Sequence, residues 1–161
     1  MTVNQISVFT PFTKGTQNQS ILQLGKFLTP GDAQQQLFGL GITTLNATPA
    51  SMLTDVSNAN SKIVLKNNQT MGFEAFIVAR ALTGESAFYR LLGAIDRGAN
   101  AASTALVSAA TKTVFNEDDA SWDVAAAADT TLGALDIQVT GAAGLSINWV
   151  SQVRTFEVIT V

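Results

Sequence analysis

Leu135-Asp136-Ile137-Gln138-Val139-Thr140 alternates apolar and polar residues without a break. Successive side chains of a strand point to opposite faces, so this stretch reads as a β-strand with one side buried and the other wet or in contact. Working outward, Gly141-Ala142-Ala143-Gly144 turns the chain, and Leu145, Ile147 and Trp149 continue on one face. Phe156, Val158 and Thr160 close the sequence in strand pattern. Upstream, Trp122, Val124, Ala126 and Ala128 alternate in the same way, after the acidic turn Asn116-Glu117-Asp118-Asp119. Further back lie an expected strand over 111–115, a strand over 87–95, the hairpin turn Thr83-Gly84-Glu85-Ser86, a strongly apolar strand over 72–82 and a short strand over 61–66. Asp96-Arg97-Gly98 reads as another turn, and the alanine-rich 99–110 as a loop.

Turn signals at about 12-residue spacing, with alternation between them, specify an all-β fold. The expectation is a single antiparallel β-sandwich, jelly-roll-like, of about eight strands. Composition shifts near residue 60. Residues 1–60 hold all three prolines, Pro11, Pro30 and Pro49, and are rich in Gln, Asn, Thr and Ser. They read as an extended, mostly irregular N-terminal arm for assembly, with the β-domain at 61–161. One short helix over 30–38 is expected within the arm, since Thr29 can cap it, Pro30 suits its first position and Gly39 can end it. Phe9, Phe12, Ile21, Leu22, Phe27, Leu28, Leu37 and Phe38 are apolar anchors separated by polar residues. That spacing suits a segment laid across another surface, so these eight are the candidate assembly-interface residues.

Composition narrows the chemistry sharply. Hydrophobic residues make up 47% of the chain and charged residues 13%, against about 25% charge in a typical soluble domain. An apolar, lightly charged surface is expected to be covered in part by other subunits. The net charge is −3 and the nine Lys and Arg residues are scattered, so nucleic acid is not an expected partner. The N-terminus lacks the pattern of a signal peptide, and no apolar run reaches the roughly 20 residues that cross a bilayer, so synthesis in a cytoplasm and no membrane partner are expected.

The chain has no histidine and no cysteine. Ser-His-Asp and Cys-His nucleophile systems and zinc sites built on those ligands are thereby excluded. No phosphate-loop pattern is present, and Gly39-Leu40-Gly41 lacks the third glycine of a dinucleotide fingerprint. Asn116, Glu117, Asp118, Asp119 and Asp123 could offer oxygen ligands to a hard cation, but their spacing reads first as a solvated turn. Glu74 and Glu157 are the carboxylates a glycosidase would need, with nothing in the sequence to set them face to face. Trp122, Trp149 and Tyr89 read as core or interface residues, with a sugar-stacking platform as the alternative. The expectation is therefore a non-enzyme with no catalytic residues, no metal, no cofactor and no small-molecule substrate.

A series of motifs carries a resemblance. They are Thr48-Pro49, Met52-Leu53-Thr54-Asp55, Ile63-Val64-Leu65 and Val78-Ala79-Arg80, then the long stretch Ile95-Asp96-Arg97-Gly98-Ala99-Asn100-Ala101-Ala102-Ser103-Thr104-Ala105-Leu106-Val107. Thr111-Lys112-Thr113-Val114, Trp122-Asp123-Val124, Ala128-Asp129-Thr130-Thr131, Gly133-Ala134-Leu135, Val139-Thr140-Gly141, Trp149-Val150 and Glu157-Val158 follow. Together they resemble a β-domain of tailed-bacteriophage virion proteins, found at the ends of tail-fibre-like chains and in small capsid decoration or head-fibre proteins. The resemblance runs from Thr48 to Val161 and does not reach residues 1–47. It implies a structural domain that assembles as a homotrimer. No repetitive shaft precedes the domain, which suits a capsid cement or decoration protein. Such a protein binds the major capsid protein on the outside of the virion and staples neighbouring capsomers. The alternative is a tail-fibre or head-fibre adhesin presenting loops 96–104 and 116–121 to a host surface glycan.

Overall fold

The computed structural model describes the backbone of residues 19–25 and the whole of residues 33–160. Eleven strands run in the order β1 (Gln19–Gly25), β2 (Ala33–Thr44), β3 (Ala50–Ser51), β4 (Ile63–Val64), β5 (Gln69–Ala81), β6 (Ser86–Arg97), β7 (Ala105–Leu106), β8 (Thr111–Glu117), β9 (Asp123–Asp129), β10 (Ala134–Thr140) and β11 (Ile147–Ile159). Eight of them have seven residues or more, and β3, β4 and β7 have two each. A 3-10 turn at Ala101–Ser103 interrupts the loop before β7.

Every pairing is antiparallel. The larger sheet runs β1-β2-β11-β5-β6-β7, with β8 beside β7 on the same edge of β6. The smaller sheet places β10 between β9 on one side and β3 and β4 on the other. A bridge between Gly41 and Leu53 ties the two sheets together.

β11 organises the larger sheet. It pairs with β2 from Ile147↔Thr44 to Val158↔Ala33, and with β5 from Ile147↔Ala81 to Ile159↔Gln69. Its side chains alternate buried and exposed along almost its whole length. Ile147, Trp149 and Val153 point inward, joining Phe73, Ile77, Tyr89 and Leu91 from β5 and β6. Met52, Ile63, Leu65, Trp122, Val124, Leu135, Ile137 and Val139 come from the smaller sheet and the loops around it, closing one shared core. Trp149 sits at its centre, 5.7 Å from the Trp122 ring and 6.5 Å from Tyr89, with its indole N–H donating to Thr44 Oγ1 at 2.9 Å.

Two expectations are corrected here. Residues 33–38 are not helical; they open the twelve-residue strand β2, while residues 30–32 lie outside the described residues. Helix propensity is a weak prior, and pairing with β11 on one side and β1 on the other outweighs it. Gln34, Gln36, Phe38 and Leu40 alternate inward, a period of two rather than 3.6. For the same reason, residues 33–60 do not form an arm outside the β-domain. They supply β2, an interior strand of the larger sheet, and β3 of the smaller one. Lesser differences lie at element ends: the strand expected over 61–66 shrinks to Ile63–Val64, and Asp96 and Arg97 belong to β6 rather than to a turn.

Candidate assembly surface

Of the anchors expected from sequence, Phe9, Phe12, Phe27 and Leu28 lie outside the described residues. Ile21 and Leu22 are on β1, opposite Gln36 and Gln35. Leu37 and Phe38 are neighbours on β2 and so face opposite ways. Phe38 is 6% exposed and belongs to the core, so it is not available as an interface residue. Leu37 points to the other side of the larger sheet, opposite Arg154, half-buried.

That other side, turned away from the smaller sheet, is the feature the sequence reading did not single out. Strand register sets its layout. Val150 stands opposite Val78, and Val78 opposite Phe88. A bulge in β8 between the partners of Phe88 and Tyr89 leaves Phe115 free to reach Phe88, and the two rings stack 4.8 Å apart. Phe76 stacks on the opposite side of Phe88 at 6.0 Å. The result is an apolar stripe crossing four strands, with Val150 65%, Val78 52% and Phe115 52% exposed. Leu92 on β6 and Phe156 and Val158 on β11 extend the apolar surface toward the far end of the sheet, all exposed.

Three charges in the middle of this face are tied to one another, while Arg80 and Asp96 stand exposed on it outside any ion pair among the described residues. Glu74 Oε1 accepts from Arg90 Nε at 2.8 Å, with Arg90 Nη2 at 2.7 Å, and Glu74 Oε2 accepts from Arg154 Nη2 at 2.6 Å. Arg154 also lies 5.3 Å above the Phe156 ring. Beside this cluster is an open hollow of about 310 Å3 lined by Leu37, Glu74, Phe76, Gln152 and Arg154. The face thus offers flat apolar area beside a set of ion pairs that share one carboxylate, which is chemistry for binding.

A signal for this face exists in the sequence. Ala75-Phe76-Ile77-Val78-Ala79 is apolar in both phases, as a strand covered on both sides should be. Phe88-Tyr89 and Leu91-Leu92 repeat the pattern on β6.

The remaining sequence-level candidates are placed elsewhere. Trp122, Trp149 and Tyr89 are all buried in the core, not arrayed as a platform. Tyr89 donates its hydroxyl to Glu117 Oε2 at 2.8 Å, and burial first, then Glu117, raises its pKa well above the usual tyrosine value. Glu74 and Glu157 occupy opposite faces of the same sheet, so they do not form a facing pair. Glu157 is buried, accepting from Gln34 Nε2 at 2.6 Å, Gln36 Nε2 at 2.6 Å, Gln69 Nε2 at 2.7 Å and Thr155 Oγ1 at 2.6 Å. The acidic residues near β8 are each tied to a different local donor. Asp118 accepts from Ser86 N at 2.8 Å, Asp119 from Ser121 N at 2.9 Å, and Asp123 pairs with Lys112.

Among the described residues no helix is long and apolar enough to cross a membrane. No family model matches the chain, and neither the curated proteins nor the solved structures compared with it contain a match.

Proposed function

We propose that this chain is a non-enzymatic structural protein of a tailed-phage virion. In this reading it is a capsid decoration protein that binds the major capsid protein on the outer shell and staples neighbouring capsomers. It works as a homotrimer, is made in the bacterial host cytoplasm and calls for no cofactor, nucleic acid, membrane or small-molecule substrate. The observation that carries an assembly role is the apolar stripe Val150–Val78–Phe88–Phe115 on the outer face of the larger sheet. Contiguous exposed apolar area of this kind marks protein–protein contact. The virion setting rests on the motif resemblance over Thr48 to Val161. The residues before Ala33, with Phe9, Phe12, Phe27 and Leu28, are the proposed grip on the shell.

A cement protein acts by removing area from water at every joint of the lattice. At about 25 cal/mol per Å2, several hundred Å2 of apolar contact per copy contributes several kcal/mol before ordering costs, and a symmetric shell repeats the contribution. Quantitative mass spectrometry on purified particles of the phage that encodes the chain tests the reading. Hundreds of copies in fixed ratio to the major capsid protein are expected. A few to a few tens would move it to the tail, where the alternative role of glycan-binding adhesin applies. Absence from particles would overturn the virion reading.

A further inference from the structure

We infer that the occupant of the outer face of the larger sheet is the same face of another copy of this chain, packed about a rotation axis near Val78 and Val150. This rests on the self-assembly in that reading and deepens it by naming the surface through which the copies meet, and it needs neither a shell nor a virion to be true.

Three observations favour a second copy over an unlike protein. The first is area. The exposed apolar side chains of this face, with half-buried Phe76 and Phe88, present on the order of 600 Å2, near the roughly 800 Å2 each partner gives to a standard interface. A monomer's largest patch seldom goes beyond about 300–600 Å2.

The second is charge. Side chains beside a symmetry axis meet their own equivalents, so an uncompensated charge there repels itself. Here the row at Val150, Val78 and Phe88 is neutral. The neighbouring Arg90 and Arg154 are both tied to Glu74, and Arg80, exposed two residues along from Val78, carries its charge on a long side chain that can turn away from the axis; with Asp96 at the far end, the face holds one net positive charge and no strong field asking for an oppositely charged partner.

The third is geometry. Most of the stripe lies across the interior strands β11, β5 and β6, with Phe115 joining it from β8. Contact there buries side chains between sheets and requires no new strand pairing at an edge, so the fold of each copy is unchanged on association.

The test uses the full chain in solution. Sedimentation equilibrium is measured on the native chain, on Val78→Glu with Val150→Glu, and on the control Val64→Glu, whose side chain is equally exposed but on the smaller sheet. Both substituted valines are more than half exposed, so the single chain accommodates the carboxylates, and circular dichroism checks that it does. The native chain and Val64→Glu should form the same closed oligomer, while the double variant should dissociate, its dissociation constant raised on the order of 100-fold by carboxylates in a desolvated contact. A folded native chain that stays monomeric at its highest soluble concentration overturns the inference. So does a double variant that is folded and still fully associated, since another surface must then hold the copies. If the double variant loses its strand signal, Phe115→Ser, on the exposed rim of the stripe, is used in its place under the same two criteria. Particle copy number does not enter this test, so the two readings fail separately.

Discussion

Glu157 is the residue whose surroundings cost the most to disturb. It is a buried carboxylate held by three glutamine amides and a threonine hydroxyl, with no ion-pair partner among the described residues. Burying a charge is unfavourable, but stranding several buried donors is worse once the network is built. Glu157→Ala should therefore lower stability by about 2–4 kcal/mol in urea unfolding at neutral pH. A loss below about 1 kcal/mol would mean that the four bonds return no more than desolvation of the carboxylate costs. Lys62 shows the opposite arrangement. Burial disfavours its charge, yet Asp129 at 2.9 Å and Asp136 at 3.0 Å more than compensate, so its pKa is raised. Asp129 is held below the carboxylate value by the Leu132 backbone N–H first and by Lys62 next. A lowered carboxyl contributes stability above its ordinary value of 3.8 that is lost as pH falls through its folded value. Raised values at Lys62 and Tyr89 contribute stability that is intact below 10.5 and 10.0 and is lost as pH rises past them. Melting temperature should accordingly hold across neutral pH and fall at both extremes. Tyr89→Phe should remove part of the alkaline loss and cost about 1 kcal/mol at neutral pH through the orphaned Glu117 bond.

At the scale of elements, the β9–β10 hairpin carries a test of local geometry. Its turn is closed by Asp129, whose carboxylate accepts from Thr131 N at 2.9 Å and Leu132 N at 3.0 Å, and by Gly133 in the left-handed region at φ +71. A methyl group on Gly133 would also run into the Arg97 guanidinium, which donates to Leu65 O at 2.6 Å and so ties the loop after β4 to β6. Gly144 has a similar φ of +73 with open space around it. Gly144→Ala should show backbone strain alone, about 1 kcal/mol, and Gly133→Ala about 1–2 kcal/mol more in thermal or urea unfolding. Equal losses at the two sites would mean that the Arg97 tie contributes nothing. The strands that sequence pattern located are those with one phase polar, such as β10, where Asp136, Gln138 and Thr140 mark the outer side. β2 was missed because its inward side begins with glutamines. Gln34 and Gln36 are buried only because Glu157, far away in sequence, needs donors, and no local window contains that fact.

For the molecule as a whole, the all-β, antiparallel, sandwich-like class was legible in alternation and turn spacing, but the strand count was not: about eight strands were expected within 61–161, which holds six of the eight long ones, and the patterns around Trp149 and Phe156 belong to the single strand β11. The candidate surface was signalled only by the two-phase apolar runs of β5 and β6 and was not read from them. Apolar anchors were sought in the proline-bearing N-terminal segment, whereas Val78, Val150 and Phe115 look from sequence like ordinary core residues. An apolar strand residue is core or interface depending on whether this chain or another one covers it, and that is settled by register and layer order. Strand order has a further consequence, for how the chain is made. β11 leaves the ribosome after every other described strand, yet it is the strand that joins β2 to β5 and brings Trp149 to the core. Until it emerges, the nascent chain holds two long strands with open backbone edges and half a core exposed. Such non-local, late-closing topologies fold slowly and aggregate easily. Completion of the sandwich therefore waits for β11, and the yield of folded protein depends on what shields the earlier strands until it arrives.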